Sequence, residues 1–301
     1  MPTDADLDEP ETAGRTRTPS RGPFRQPFRT VRWIGVLAAV TVVVWSLNGA
    51  EVGLGPLVEG RAGAARLLSG LFPPDLDPQL LARIGRATVE TVQISIAALV
   101  LGAVLGLPLA VLIAGNVQAP RFVALGARWL AMVLRGVPEL LWALLFVAAV
   151  GLGPAAGAYA IGLHSAGMMA KLCSEQMEAV DAAPVEAMRL TGSSRPATAL
   201  LAIVPQARGT VASQVLYQWE CNVRSSVVIG YVGAGGLGQE LGVALHLFRY
   251  QELATLMAAV LILVLVVDGA SVLVRRRMGV ATGLPGECER PRYRRLWTGR
   301  S

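Results

Sequence analysis

The sequence predicts an all-α polytopic membrane protein with about six transmembrane helices. Three observations carry that prediction. Of 301 residues, 53% are hydrophobic and 16% are charged, whereas soluble domains carry about 25% charged residues. The mean hydropathy is +0.51. The apolar residues also gather into runs close to the roughly 20 residues a helix needs to cross the hydrocarbon layer.

The first run, residues 31–47, is short and framed by Arg29, Arg32, Trp33 and Trp45. Cationic and aromatic flanks anchor a span at the interface. The second, 88–114, is long and strongly apolar. The third is interrupted: 122–134 is apolar apart from Arg128, then Arg135-Gly136-Val137-Pro138-Glu139 intervenes, and 140–150 resumes. Proline removes a backbone donor and clashes with the preceding turn, so one broken helix or two short pieces are expected. The fourth run is 155–169. The fifth, 209–231, carries Glu220 and Arg224. The sixth, 253–274, is stopped by Arg275-Arg276-Arg277.

Six spans place both ends on one side, and the positive-inside rule tests which. Residues 1–32 hold six arginines and residues 275–301 hold eight, so both termini read as cytoplasmic. The segment 171–208, with Lys171, Arg189, Arg195 and Arg208, then falls inside, while 49–87, 151–154 and 233–252 fall outside. Residues 1–29, rich in Pro, acids and Arg, read as a disordered cytoplasmic tail rather than a secretory signal. Residues 30–84 hold the first span and an external segment, and 276–301 form a basic cytoplasmic tail.

Other classes fit poorly. The formal charge of +6 lies at the termini and beside apolar runs, which orientation in a membrane explains without nucleic acid. Cys173, Cys221 and Cys288 share no metal-like or redox spacing. Gly233, Gly235 and Gly238 spell G-x-G-x-x-G after the strand-like Val227-Val228-Ile229, but a dinucleotide fingerprint needs an α/β unit around it. The run instead follows a span, and reads as a tight external backbone whose N–H groups can meet an anion. No phosphate-binding G-x-x-x-x-G-K-[ST] exists in the chain, so ATP hydrolysis has no site here. No catalytic or metal-binding constellation is expected.

The inside segment 175–205 is too long for a simple turn. Pro184 suits the start of a short helix over 185–190, Gly192 suits a left-handed C-terminal cap, and a second short helix is expected over 196–203 before Pro205. Two short helices joined at a glycine form a ledge for a soluble partner. An ordinary amphipathic loop fits the spacing equally well.

At this point a resemblance enters. Glu186-Ala187-Met188, then Gly192 after three residues, then Ala202-Ile203-Val204-Pro205 after nine more, resembles the EAA motif of binding-protein-dependent ABC transporter permeases. That motif reads Glu-Ala-Ala, three residues, Gly, nine residues, Ile, one residue, Leu-Pro; Met188, Ala202 and Val204 depart from it but stay apolar. Arg135 to Trp142, Leu163 to Gly167 with Lys171 and Glu175, Trp219-Glu220-Cys221-Asn222-Val223-Arg224, and Gly233-Ala234-Gly235-Gly236-Leu237-Gly238 are similar to phosphonate-type importer permeases, across about residues 85–275. The resemblance implies a type I ABC importer transmembrane domain in a bacterial inner membrane, importing phosphonate, or alternatively phosphite, phosphate, methionine or glycine betaine. It implies a homodimer, a pair of ATPase subunits that bind ATP and Mg²⁺, and an external solute-binding protein. Glu186, Ala187, Gly192 and Pro205 would then form the coupling helix region.

Charges inside spans cost several kcal/mol unless paired. Glu220 and Arg224, four residues apart on one face, permit two readings: a structural ion pair, or a pathway in which Arg224, with Asn222 nearby, meets an anion through its bidentate fork. Arg135 and Glu139 have the same spacing across Pro138, as a gate or a satisfied kink. His164 reads as a helix–helix hydrogen-bond partner, Glu90 as interfacial, and Gly102 with Gly106 as a close-packing G-x-x-x-G.

Overall fold

The computed structural model describes residues 28–50, 61, 63, 65, 69–117 and 119–278. Every regular element among them is helical. The tail expectations for 1–27 and 279–301, and with them Cys288, lie outside the described residues. The chain divides into two compact units, residues 1–64 and 65–301.

In the first unit, α1 is Phe28–Gly49, matching the expected 31–47 run. Its described side chains, including Trp33, Val36, Val40 and Trp45, are exposed. A helix that is apolar all round fits lipid rather than one buried face. Twenty-two residues span about 33 Å at 1.5 Å per residue, enough for a hydrocarbon layer.

The second unit is built on a long helix, α2, Pro78–Ile113. It starts ten residues before the apolar run at Thr88, because Pro78 is pre-set for a first helical turn and the polar turns find partners on the far side of the fold. Arg83 lies 3.8 Å from Glu240 and 3.6 Å from Glu252. The third run is two helices, α3 (Arg121–Gly136) and α4 (Glu139–Val150), bent by 86°. Pro138 has no N–H to give Leu134 O, and the Trp142 indole Nε1–H donates to that carbonyl instead at 3.2 Å. His164 Nδ1 lies 3.3 Å from Val137 O, so it is the helix–helix partner its setting suggested. The fourth run lies within α5, Pro154–Glu178, which continues past Met169 with Lys171, Glu175 and Glu178.

α5 packs along α2 through small residues. A Cβ on Gly102 would stand 2.9 Å from Ser165 Cβ, and one on Gly106 only 2.6 Å from Ala166 O. From the other side, a Cβ on Gly162 would meet Leu101 at 2.6 Å. The G-x-x-x-G is therefore a contact face, with the backbones brought together where apolar burial against lipid supplies no drive. Ala98, Ala110, Ala166, Met169 and Ala170 are fully buried around it.

After α5 come α6 (Ala182–Leu190), α7 (Arg195–Thr198), a π turn (Ala199–Ile203) and α8 (Val204–Ile229). A second π turn, Gly230–Ala234, leads into α9 (Gly236–His246), and α10 (Tyr250–Arg277) closes the unit. The strand-like 227–229 is the last turn of α8, as membrane depth favours backbone satisfied within one segment. By length and composition α2 and α10 qualify as spans on their own, and two bent pairs qualify jointly: α3 with α4, and 195–234 with α9 at 55°. The six expected runs correspond to α1, α2, the bent α3–α4 pair, α5, α8 and α10.

Candidate functional site

The segment between α5 and α8 forms a stitched ledge. Asp181 caps α6 by accepting from Ala183 N at 3.0 Å, so the helix begins at Ala182 and Pro184 sits inside its first turn. At the other end, Gly192 N–H donates to Arg189 O (3.0 Å) and Ser193 N–H to Met188 O (3.3 Å). That is the paired closure of a helix whose next residue is left-handed, and Gly192 has φ +78°. Val185 alone of α6 is fully buried, in a cluster with Met169, Cys173, Met177 and Ile203, and Met188 packs against its edge. Met188 keeps the apolar character that the edge of this cluster requires. Glu186 and Ala187 face outward, and Leu190 is 89% exposed.

The expected second helix over 196–203 does not end at Pro205. It runs through the π turn into α8, with Val204 N–H donating five residues back to Ala199 O. Pro205 lacks the N–H that a regular turn would need, and the wider turn absorbs that defect. Gln206 Nε2 donates to Ala202 O at 2.8 Å. The ledge is tied to the turn that follows α2 and to the last turn of α5. Arg189 donates to Asn116 O, Asn116 Nδ2 to Met177 O at 2.7 Å, and Gly115 N–H to Glu178 Oε1 at 2.8 Å. α6 is thus linked through Arg189 to the turn Gly115–Val117 that follows α2, and that turn is linked to the end of α5.

The charged pair in α8 belongs to a larger network. Arg224 Nη2 lies 4.0 Å from Glu220 and 3.0 Å from Asp268 Oδ1 on α10. Arg275, at the end of α10, bonds Glu220 directly. The Glu220 side chain is 7% exposed. Two cations and two anions alternate across the α8–α10 seam, so neither residue of the pair stands alone in the span. Asn222 is buried and accepts at Oδ1 from Ser165 Oγ–H (2.6 Å) and Gln218 Nε2–H (3.1 Å). In this chain it joins α5 to α8 rather than lining an open surface. Asp268 was not named from sequence, and Arg275, Ser165 and Gln218 entered only as a span stop or within motifs, with no partner assigned. The available signal was Asp268, an acid inside an apolar run, which requires a cation nearby.

Arg135 and Glu139 form no ion pair among the described residues, because the bend at Pro138 breaks the helical register that would align them. Arg135 instead lines an open cleft of about 290 Å³ with Arg128, Lys171 and Glu178. The glycine run makes a tight turn between α8 and α9. Gly233, Gly235 and Gly236 all have positive φ, and a Cβ on Gly238 would overlap Val227 O. Its polar groups are taken up internally: Gly153 N–H donates to Gly233 O (3.1 Å) and Leu237 N–H to Thr91 Oγ1 (2.9 Å). Glu90 is half-buried against this turn, with Oε1 2.7 Å from where a Gly235 Cβ would stand. An acid therefore sits beside the start of α9, where the helix dipole favours it, and an anion there would meet like charge.

Comparison with known proteins converges on the same architecture. Residues 106–280, more than half of the chain, match the family described as binding-protein-dependent transport system inner membrane component. The chain is 40% identical over 221 residues to the phosphite transport system permease protein PtxC of Stutzerimonas stutzeri, covering 73% of this chain and 79% of that protein. It is 34% identical over 238 residues to the phosphate-import permease protein PhnE of Mycolicibacterium smegmatis, covering 79% of this chain and 44% of that longer protein. A putative cryptic phosphonate transport system permease protein of Escherichia coli, PhnE2, is 38% identical over 117 residues, which is 39% of this chain and 96% of that one. Among solved structures, a chain of the inward-facing MetNI methionine ABC transporter superposes with a TM-score of 0.61 at 19% identity, covering 67% of this chain and 99% of that chain; it shares the fold. The chain belongs to the binding-protein-dependent transport system inner membrane component family, the permease subunits of ABC importers.

Proposed function

We propose that this permease imports a small phosphorus oxyanion, phosphonate in the first instance, delivered by an external solute-binding protein. Two copies of the chain form the pathway, both termini lie in the cytoplasm, and two ATPase subunits carrying ATP and Mg²⁺ grip the ledge at Glu186, Ala187, Gly192 and Pro205. The observation that supports this reading is the relay from Arg189 of α6 to the turn Gly115–Val117 after α2, and from that turn to Met177 and Glu178 of α5. Closure of the ATPases would move α6 as a rigid body, and the attached helices with it, alternating access between the two sides. Phosphite is the second reading, favoured by the 40% identity to a protein named as a phosphite permease.

The experiment is reconstitution of the chain with its ATPase and binding protein in proteoliposomes. Uptake of radiolabelled phosphonate or phosphite, dependent on ATP and on the binding protein, is expected. Uptake of methionine or glycine betaine with neither phosphorus anion transported would refute the solute assignment.

A further inference from the structure

Three arginines recur every seven residues on α3: Arg121, Arg128 and Arg135. Seven residues are nearly two full turns, so the three lie close to one line along the helix, stepping about 10 Å each. α3 lies against α5 at Gly167, where a Cβ would stand 2.6 Å from Arg135 N and 2.9 Å from Ala131 O. One turn further along the same face of α5 comes Lys171, followed by Ser174 and Glu178. The result is an open cleft of about 290 Å³ between the end of α2, α3 and α5, with Arg128, Arg135, Lys171 and Glu178 exposed along it.

Its lining is cationic. Arg128, Arg135 and Lys171 face one carboxylate, Glu178, and that carboxylate already accepts from Gly115 N–H. Lys171 is paired with Glu175 at 2.9 Å, and Arg128 donates through Nη2 to Ile113 O at 3.2 Å. Arg135 has no ion-pair or hydrogen-bond partner among the described residues. Its guanidinium is exposed along the cleft, where an anion can reach it. Guanidinium groups suit phosphorus oxygens through paired N–H donors. The volume exceeds that of one such anion, leaving room for bridging water.

We propose that this cleft binds a phosphorus oxyanion at the inner end of the bundle, held by Arg128, Arg135 and Lys171. The choice of phosphorus rests on the import function proposed above. Two sources share that chemistry: the transported solute, and the phosphate of an anionic lipid headgroup. The site adjoins the ledge, because Glu178 both lines it and bonds the turn after α2 to which Arg189 of α6 is tied.

The test uses the assembled importer in nanodiscs without binding protein, so that bound anion reports the permease. The probe is radiolabelled inorganic phosphite, in discs of phosphatidylcholine alone and of phosphatidylcholine with phosphatidylglycerol. Saturable phosphite binding in phosphatidylcholine discs is expected, weakened about tenfold by Arg135→Gln or Lys171→Gln, the loss of one charge-assisted contact. Glu178→Gln keeps an acceptor for Gly115 and removes the opposing charge, so it should tighten binding about threefold, a gain that misfolding does not produce. If the variants change only phosphatidylglycerol retention, seen by native mass spectrometry, the occupant is the lipid headgroup. Unchanged phosphite binding and lipid retention in all three variants overturn the site. If wild-type importer transports no phosphorus oxyanion in proteoliposomes, the import reading itself has failed, which is a separate result.

Discussion

Removing Arg275 separates the structural role of the α8–α10 network from that of its outer members. The Glu220 side chain is 7% exposed and Arg275 16%, whereas Arg224 and Asp268 are 46% and 39% exposed. Arg275→Met leaves the Glu220 carboxylate with Arg224 as its remaining ion-pair partner, at 4.0 Å. Breaking a buried pair from one side costs roughly 3–5 kcal/mol in water-soluble folds. Within a bilayer the unfolded reference also finds partners, which brings expected losses nearer about 2–3 kcal/mol. Arg224 and Asp268 are the more exposed pair, and Arg224 keeps Glu220 as a partner when Asp268 is neutralised, so Asp268→Asn should cost less than Arg275→Met. The assay is reversible unfolding in mixed micelles, with the double variant Glu220→Gln/Arg275→Met completing a thermodynamic cycle. The double variant should recover most of the Arg275→Met loss, since no uncompensated charge remains. An Arg275→Met cost equal to or below that of Asp268→Asn would refute the assignment of Glu220 and Arg275 as the buried pair.

Further outcomes follow from particular contacts. At Gly192, Asn tolerates the left-handed backbone, and no atom lies within 4 Å of an added Cβ. Gly192→Asn should therefore keep the fold, while Gly192→Trp should insert into the membrane yet lose co-purification of the ATPase; retention of the ATPase by the Trp variant would argue against docking there. Gly106→Leu should prevent α2 and α5 from closing, because even a Cβ would stand 2.6 Å from Ala166 O, and is read as loss of a monodisperse peak in detergent. Trp142→Phe removes the donor that replaces the missing Pro138 N–H, and should destabilise the bend by about 1–3 kcal/mol in the same unfolding assay, since Leu134 O is left unpaired.

Much of the fold was legible because lipid permits few backbones: apolar length marked the helices, Pro138 marked the bend, and Gly192 marked the end of α6. Local signals were less informative where tertiary partners decide. The first turns of α2 are too polar to read as a span, yet Leu80, Ile84 and Ala87 are buried at helical spacing and Arg83 is matched by Glu240 and Glu252 from distant sequence. Pro205 reads as a stop, yet a π turn carries the helix past it. The Glu220–Arg224 spacing permitted an ion pair or a pathway lining; the shortest bonds of both residues cross to α10, which no i, i+4 rule anticipates. The glycine run looked open to an anion, and only the packing of Glu90 beside Gly235 shows an acid there.

The most direct test of the ledge is a photoreactive amino acid placed at exposed Ala187 of the full chain, with a matching probe at exposed Leu247 beyond the end of α9. After illumination of the assembled importer, the account predicts an adduct with the ATPase subunit from position 187 and none from position 247. No ATPase adduct from 187, or equal adducts from both positions, would contradict it.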